Sequence, residues 1–330
     1  MGIWLNVLLF FLGALLLIKG GDWLVDGATG LARRFHLPEL LVGATVVSIG
    51  TTLPEVMVSS TAALADQSST AYGNAIGSII CNTALIAAIT VLVRPGKVNR
   101  KALITPVAFF FAAAAIYLFA AYVLGEFTRP IGIVFLAMFL VYMVVTVRQG
   151  FAHPESVELE QEEGGKPHSL GMNVSLLVIG VAIIALGANL VVDNVPPIAR
   201  ALGVSEAVIA LTFVALSTSL PELVTAITSL VKGHSSLSLG NVIGANLFNL
   251  VLVCGISVTV SPFEVPLEST FFGYNASLAL ELPVMLGVML LLTVPALARR
   301  KLSHWQGALL LVIYALFVLA QFLLCVNVTG

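Results

Sequence analysis

Charge is what this chain has least of: of 330 residues only 10% are Asp, Glu, Lys or Arg, against 59% apolar. Soluble domains carry about 25% charged residues, so a chain this poor in charge cannot cover a water-facing surface. That excludes a water-soluble enzyme and a disordered protein, and a net charge of −2 leaves no basic footprint for nucleic acid. Cysteine is nearly absent: Cys81, Cys254 and Cys325 fall in or beside apolar runs and imply no disulfide framework. The five histidines, His36, His153, His168, His234 and His304, fall in loops or at the edges of apolar runs. No HExxH, GxSxG or glycine-rich phosphate loop is present. Enzymatic chemistry therefore has no support, and no bound cofactor and no obligate protein partner is expected.

Apolar runs long enough to cross a bilayer are abundant, each needing about 20 residues. Ten are expected, at 4–27, 40–64, 71–93, 102–124, 130–148, 172–192, 205–231, 238–260, 275–297 and 305–325. They are too long and too uniformly apolar for the alternating strands of an outer-membrane barrel. The expected fold is an all-α polytopic membrane protein, with the lipid bilayer as its solvent.

Sliding the sequence by 167 positions superimposes its halves without a gap. Asp26 meets Asp193, Glu39 meets Glu206, Leu53-Pro54-Glu55 meets Leu220-Pro221-Glu222, Gly73-Asn74 meets Gly240-Asn241, and Asn82 meets Asn249. Leucine-rich helices produce apolar coincidences by chance, but not Pro, Glu, Asn and Asp in register. The organisation is a first five-helix repeat at 1–148, a polar linker at 149–171 and a second repeat at 172–330. Five is odd, so the second half enters from the opposite face, giving two inverted repeats of the kind secondary transporters use. With both termini outside, twelve Lys and Arg fall on inner loops against Arg129 and Arg200 outside, and Lys19 sits near the inner end of the first span. That places the chain in the cytoplasmic (plasma) membrane with both termini extracellular. The linker's Glu155, Glu158, Glu160, Glu162 and Glu163 read as a solvated connector.

Two carboxylates stand deep in apolar sequence, in Gly50-Thr51-Thr52-Leu53-Pro54-Glu55 and Ser217-Thr218-Ser219-Leu220-Pro221-Glu222. A charge inside a membrane helix costs at least about 2.5–3.5 kcal/mol. One such glutamate can be a packing residue; two at matched repeat positions mark a function. Pro54 cannot donate to the Gly50 carbonyl, nor Pro221 to that of Ser217, and broken backbone at membrane depth is tolerated only against protein or a watery cavity. Thr51 and Thr218 share a helix face with Glu55 and Glu222 respectively. Gly73/Gly77 and Gly240/Gly244 are GxxxG pairs suited to close helix approach, and Ser78, Asn82 and Asn249 add neutral oxygens. Asp26, Asp193, Glu39 and Glu206 read as interfacial. Glu281, whose repeat mate is Ala114, is assigned a role outside transport.

This donor set contains only oxygen, which suits calcium, sodium, magnesium or manganese rather than zinc or copper, and adjustable broken helices favour calcium over magnesium. Two carboxylates in one site repel unless a cation neutralises them. The chain should therefore switch face readily only when loaded.

The doubled Ser/Thr-Leu-Pro-Glu segments, each followed by a Gly-Asn-x-Ile-Gly helix, resemble the paired alpha repeats of the calcium/cation antiporter superfamily, nearest its prokaryotic sodium/calcium exchanger branch. The resemblance covers essentially the whole chain, including Lys19-Gly20-Gly21-Asp22-Trp23-Leu24-Val25-Asp26. It implies the sodium/calcium exchanger fold and sodium-for-calcium antiport by alternating access, with a proton-coupled calcium or other divalent-cation antiporter as the alternative. It implies Glu55 and Glu222 as central ligands of calcium and sodium. Thr51, Thr52, Thr218, Ser219 and Ser78, with the backbone carbonyls of Ser48 and Ala215, would serve the sodium sites, and Asn82 and Asn249 would flank the centre. It also implies a sliding gate in which the first and sixth helices move. Two positions depart from the pattern: Ala245 replaces a hydroxyl at the mate of Ser78, and Asn249 is neutral where some relatives carry Asp, which disfavours potassium dependence.

Overall fold

A computed structural model describes residues 3–152, 169–201, 218–267, 269–323 and 325–327. Eight helices in it are long and apolar enough to cross a membrane, and nine if one bent pair counts as a single span. They are α1 (Ile3–Phe35), α4 (Ser68–Val93), α5 (Arg100–Leu124), α6 (Arg129–Ala152), α7 (Leu170–Ala201), α9 (Ser235–Val260), α10 (Ser277–Arg299) and α11 (His304–Leu323). The bent pair is α2 (Glu39–Thr51) and α3 (Leu53–Leu64), which meet at 46°. The expected run 205–231 is described only where α8 (Leu220–Val231) forms; its earlier part, with Glu206 and Ala215, lies outside the described residues.

The exposure pattern is that of a protein dissolved in lipid. Trp4 (82% exposed), Val231 (79%) and Met57 (68%) face outward, whereas Glu55, Glu222, Asn82 and Asn249 are all at 0%. The largest deviations from the expected boundaries are at α1 and α7, of 33 and 32 residues, because both helices continue past their apolar stretch into polar turns. At 1.5 Å per residue α1 is about 50 Å long, far beyond a hydrocarbon core of about 30 Å. Lys19 sits exposed near the middle of α1, and Asp26 lies within the same helix. α6 continues to Ala152, and the linker glutamates lie outside the described residues.

The chain forms two compact units, each drawing on both halves of the sequence: 1–51 with 145–241, and 52–144 with 242–330. In the first, α1 and α7 run antiparallel along each other. Their contact is made by small residues seven apart: Gly13 faces Gly187, Gly20 faces Gly180 and Ile184, and Gly27 faces Asn173 and Leu177. A β-carbon at Gly20 would stand 2.8 Å from Ile184 Cγ1, so backbones touch where no side chain fits. Leu17, Leu24, Val25, Ala28, Ile184 and Ala188 fill the seam. Against α8, Lys232 Nζ bonds Asp26 at 2.8 Å and pairs with Asp22 at 3.4 Å, and His234 Nδ1 lies 2.8 Å from Glu39. These pairings give both Asp26 and Glu39 a structural partner from the segment that follows α8.

In the second unit, α3, α4, α5 and the later parts of α9 and α10 surround a buried aromatic cluster, with Tyr117 4.5 Å from Phe127 and Tyr142 5.9 Å from Phe248. Short strands tie loop ends together: β1 (Glu126–Phe127) pairs with β2 (Phe263–Glu264), and β3 (Ser269–Phe271) lies between β4 (Tyr274–Asn275) and β5 (Cys325–Asn327). Cys81 and Cys254 are free and buried.

Candidate functional site

The two Leu-Pro-Glu segments open their helices in the same way. Thr52, where α2 breaks from α3, and Ser219, which precedes α8, have nearly the same backbone, φ −84°, ψ −3° and φ −85°, ψ 7°, in the sparsely populated bridge region. Helix restarts at Leu53 and Leu220 with proline inside the first turn, where its missing N–H removes nothing. Each break carbonyl then accepts the first new bond, Val56 N to Thr52 O at 3.1 Å and Leu223 N to Ser219 O at 3.0 Å. Glu55 and Glu222 therefore occupy the first turn of a helix, near its positive end, which favours a carboxylate there.

A second matched feature follows. The helix after each break opens into a π-helical turn at its asparagine, Asn82–Ala87 in α4 and Asn249–Val253 in α9. One residue is inserted into the turn, which re-aims side chains and leaves part of the ladder unpaired; such bulges concentrate at functional sites.

In the first unit, α2 and the start of α9 meet with backbones in contact. A β-carbon on Gly43 would strike the Leu237 carbonyl and Asn241 N, and one on Gly240 would strike the Leu40 carbonyl. Close approach is thus realised at Gly240. Gly73 and Gly77, in contrast, have nothing within 4 Å among the described residues, and the segment that the repeat would set against them, 204–210, lies outside those described. Across the Gly43/Gly240 contact, Ser48 Oγ reaches Gly43 O at 2.7 Å, Asn241 O at 2.9 Å and Asn241 Oδ1 at 3.3 Å. Thr51 donates to Asn241 Oδ1 at 3.2 Å, and its hydroxyl also faces the Glu222 carboxylate. Thr218 and Ser219 form the turn into α8 beside Glu222.

In the second unit, α3 carries Glu55 and packs against α4 and the π-turn at Asn249. Asn74 Nδ2 donates to Ser59 Oγ at 2.8 Å and to the Glu55 carbonyl at 3.3 Å. Asn246 Nδ2 donates to Thr83 Oγ1 at 2.7 Å. Ser78, Asn82 and Asn249 are all buried here, with Ala245 filling a fully buried position beside Asn246.

Buried polar atoms are nearly always paired. Here Thr52 Oγ1, Ser219 Oγ, both side-chain polar atoms of Asn82 and Asn249, and both oxygens of Glu222 have no hydrogen-bond partner among the described residues. These atoms fall at matched repeat positions, Thr52 with Ser219 and Asn82 with Asn249. Carboxylate, hydroxyl and amide oxygens left unpaired in apolar surroundings are the donors a hard cation requires. The sequence argument did not assign Asn241, Asn74 or Asn246 a place at the site; the register of Asn74 with Asn241 was the signal available for the first two.

The family model described as Sodium/calcium exchanger protein matches residues 5–148 and 172–323. The inner membrane protein YrbG of Escherichia coli K12 is 38% identical over 78% of this chain and 80% of its own length. The sodium/calcium exchanger MaX1 of Methanosarcina acetivorans is 28% identical over 96% of this chain and 98% of its own. A solved structure of the sodium-calcium exchanger NCX_Mj superimposes with a TM-score of 0.80 at 31% identity, over 97% of this chain and 99% of that one.

Proposed function

This chain belongs to the sodium/calcium exchanger protein family, and we propose that it is an antiporter that moves sodium ions one way across the membrane and a calcium ion the other by alternating access. In this reading the chain has ten membrane-spanning helices in two inverted five-helix repeats, and both termini face outward. Glu55 and Glu222 are the charged ligands of both ions. The hydroxyls of Thr51, Thr52, Thr218, Ser219 and Ser78, with the carbonyls of Ser48 and Ala215, complete the sodium sites, and Asn82 and Asn249 flank the calcium position.

One observation carries the reading: the helix starts after Thr52 and Ser219 are duplicates, and each holds a fully buried glutamate in its first turn. A packing role would not require the same backbone turn twice, nor hydroxyls at both turns with no hydrogen-bond partner among the described residues. The charge arithmetic then dictates coupling. Each bare carboxylate costs several kcal/mol at membrane depth unless it is compensated. Calcium, or two or more sodium ions, neutralises the pair, so the protein changes face loaded and returns loaded. That is exchange rather than leak.

Sodium-loaded proteoliposomes diluted into sodium-free buffer test this by uptake of radioactive calcium. Uptake that needs the outward sodium gradient and both glutamates is the expected result. Uptake driven by a pH jump alone, or a calcium leak without any gradient, refutes the assignment.

A further inference from the structure

We propose that Asn241 is a positioning residue for sodium: its Oδ1 takes the single hydroxyl proton of Thr51, so that the Thr51 oxygen presents its lone pairs to the ion. The inference deepens the exchange reading above and rests on it. A hydroxyl has one proton and two lone pairs, so it ligates a cation well only when the proton is held elsewhere. Thr51 has two acceptors in reach, Asn241 Oδ1 at 3.2 Å and the carboxylate of Glu222. Donation to Glu222 would point the proton toward a charged ligand and engage a carboxylate lone pair, weakening two ligands at once. Donation to Asn241 leaves both free, and the hydrogen bond the structure forms from the Thr51 hydroxyl is the one to Asn241 Oδ1.

The contact is a built one. Gly43 and Gly240 allow α2 and α9 to touch at the backbone, and that approach brings Asn241 to Ser48 and Thr51, 193 and 190 residues away in sequence. Asn241 is fully buried and its Nδ2 has no partner among the described residues. A buried amide with an unused donor is costly to retain, so its value lies in the acceptor. Were the amide turned over, Nδ2 would donate to Thr51 and force the Thr51 proton toward Glu222, and the two arrangements are separable with aspartate, which only accepts.

The test is a double-mutant cycle on sodium-dependent calcium uptake, with half-saturating sodium and calcium measured separately. Asn241→Leu should raise half-saturating sodium about tenfold, the order expected for one hydrogen bond to a ligand, and half-saturating calcium less than twofold. Thr51→Val should raise sodium at least as much, and the double variant should be no worse than Thr51→Val alone. Asn241→Asp should stay within threefold of wild type for sodium. Multiplicative losses in the double variant, equal losses for both ions, or a tenfold loss in Asn241→Asp would each overturn the proposal. Should Asn241→Leu fail to fold, Asn241→Ser is put through the same cycle with the same criteria. Wild-type protein that shows no sodium-dependent uptake would instead overturn the exchange reading itself.

Discussion

Calcium should reverse the order of stability between wild type and a Glu222→Gln variant. The side chain is fully buried, and neither oxygen has a hydrogen-bond partner among the described residues. Without a cation the carboxylate is an uncompensated charge, costing at least about 2.5–3.5 kcal/mol on insertion scales. A buried amide lacking full hydrogen bonding costs about 1–3 kcal/mol. The variant should therefore be the more stable of the two by about 1–2 kcal/mol in cation-free buffer, which for a chain of this size raises Tm by about 1.5–3 °C. Calcium reverses the sign. At 100 times its Kd it stabilises whichever form binds it by about 2.7 kcal/mol, or about 4 °C. Wild type gains this and Glu222→Gln does not. Intrinsic-fluorescence melting of purified protein at pH 9 in choline buffer, with and without calcium, measures all four values. A variant less stable than wild type in cation-free buffer would refute the reasoning, as would equal calcium shifts in both.

Gly20→Val should abolish folded protein, since its branched side chain would meet Ile184 Cγ1 and the Ile184 amide within 3 Å; size-exclusion chromatography after solubilisation checks it. Gly240→Ala should lower Tm and transport together, because even one methyl strikes the Leu40 carbonyl; an unchanged Tm would contradict the close contact. Lys232→Met should cost less than about 1 kcal/mol, because Lys232, Asp22 and Asp26 are all partly exposed and solvent screens the pairs; melting in low and high salt should converge for the wild type and variant. Glu281→Gln should keep calcium uptake within about twofold, because its carboxylate accepts a 2.8 Å hydrogen bond from Gln321 that an amide oxygen can also accept, and a larger loss would assign it to transport.

The amino-acid sequence by itself determined the solvent, the duplication and the chemical type of the site. These are one-dimensional signals: apolar runs, a constant offset of 167, and polar residues in runs that otherwise exclude them. A proline one residue before a glutamate is also local, and the helix starts at Leu53 and Leu220 follow from it and its polar neighbours. Helix ends were less legible. α1 and α7 continue past their apolar stretches because each lies along the other, so packing rather than hydropathy decides where they stop. The π-helical turns at Asn82 and Asn249 left no mark that a 3.6-residue period could register, since an inserted residue in a uniformly apolar helix changes no pattern. Only the tertiary structure decided what Asn241 touches: its partners Ser48 and Thr51 lie on a helix nearly two hundred residues earlier, and a hydrogen bond is set by distance in space, to which sequence separation gives no guide.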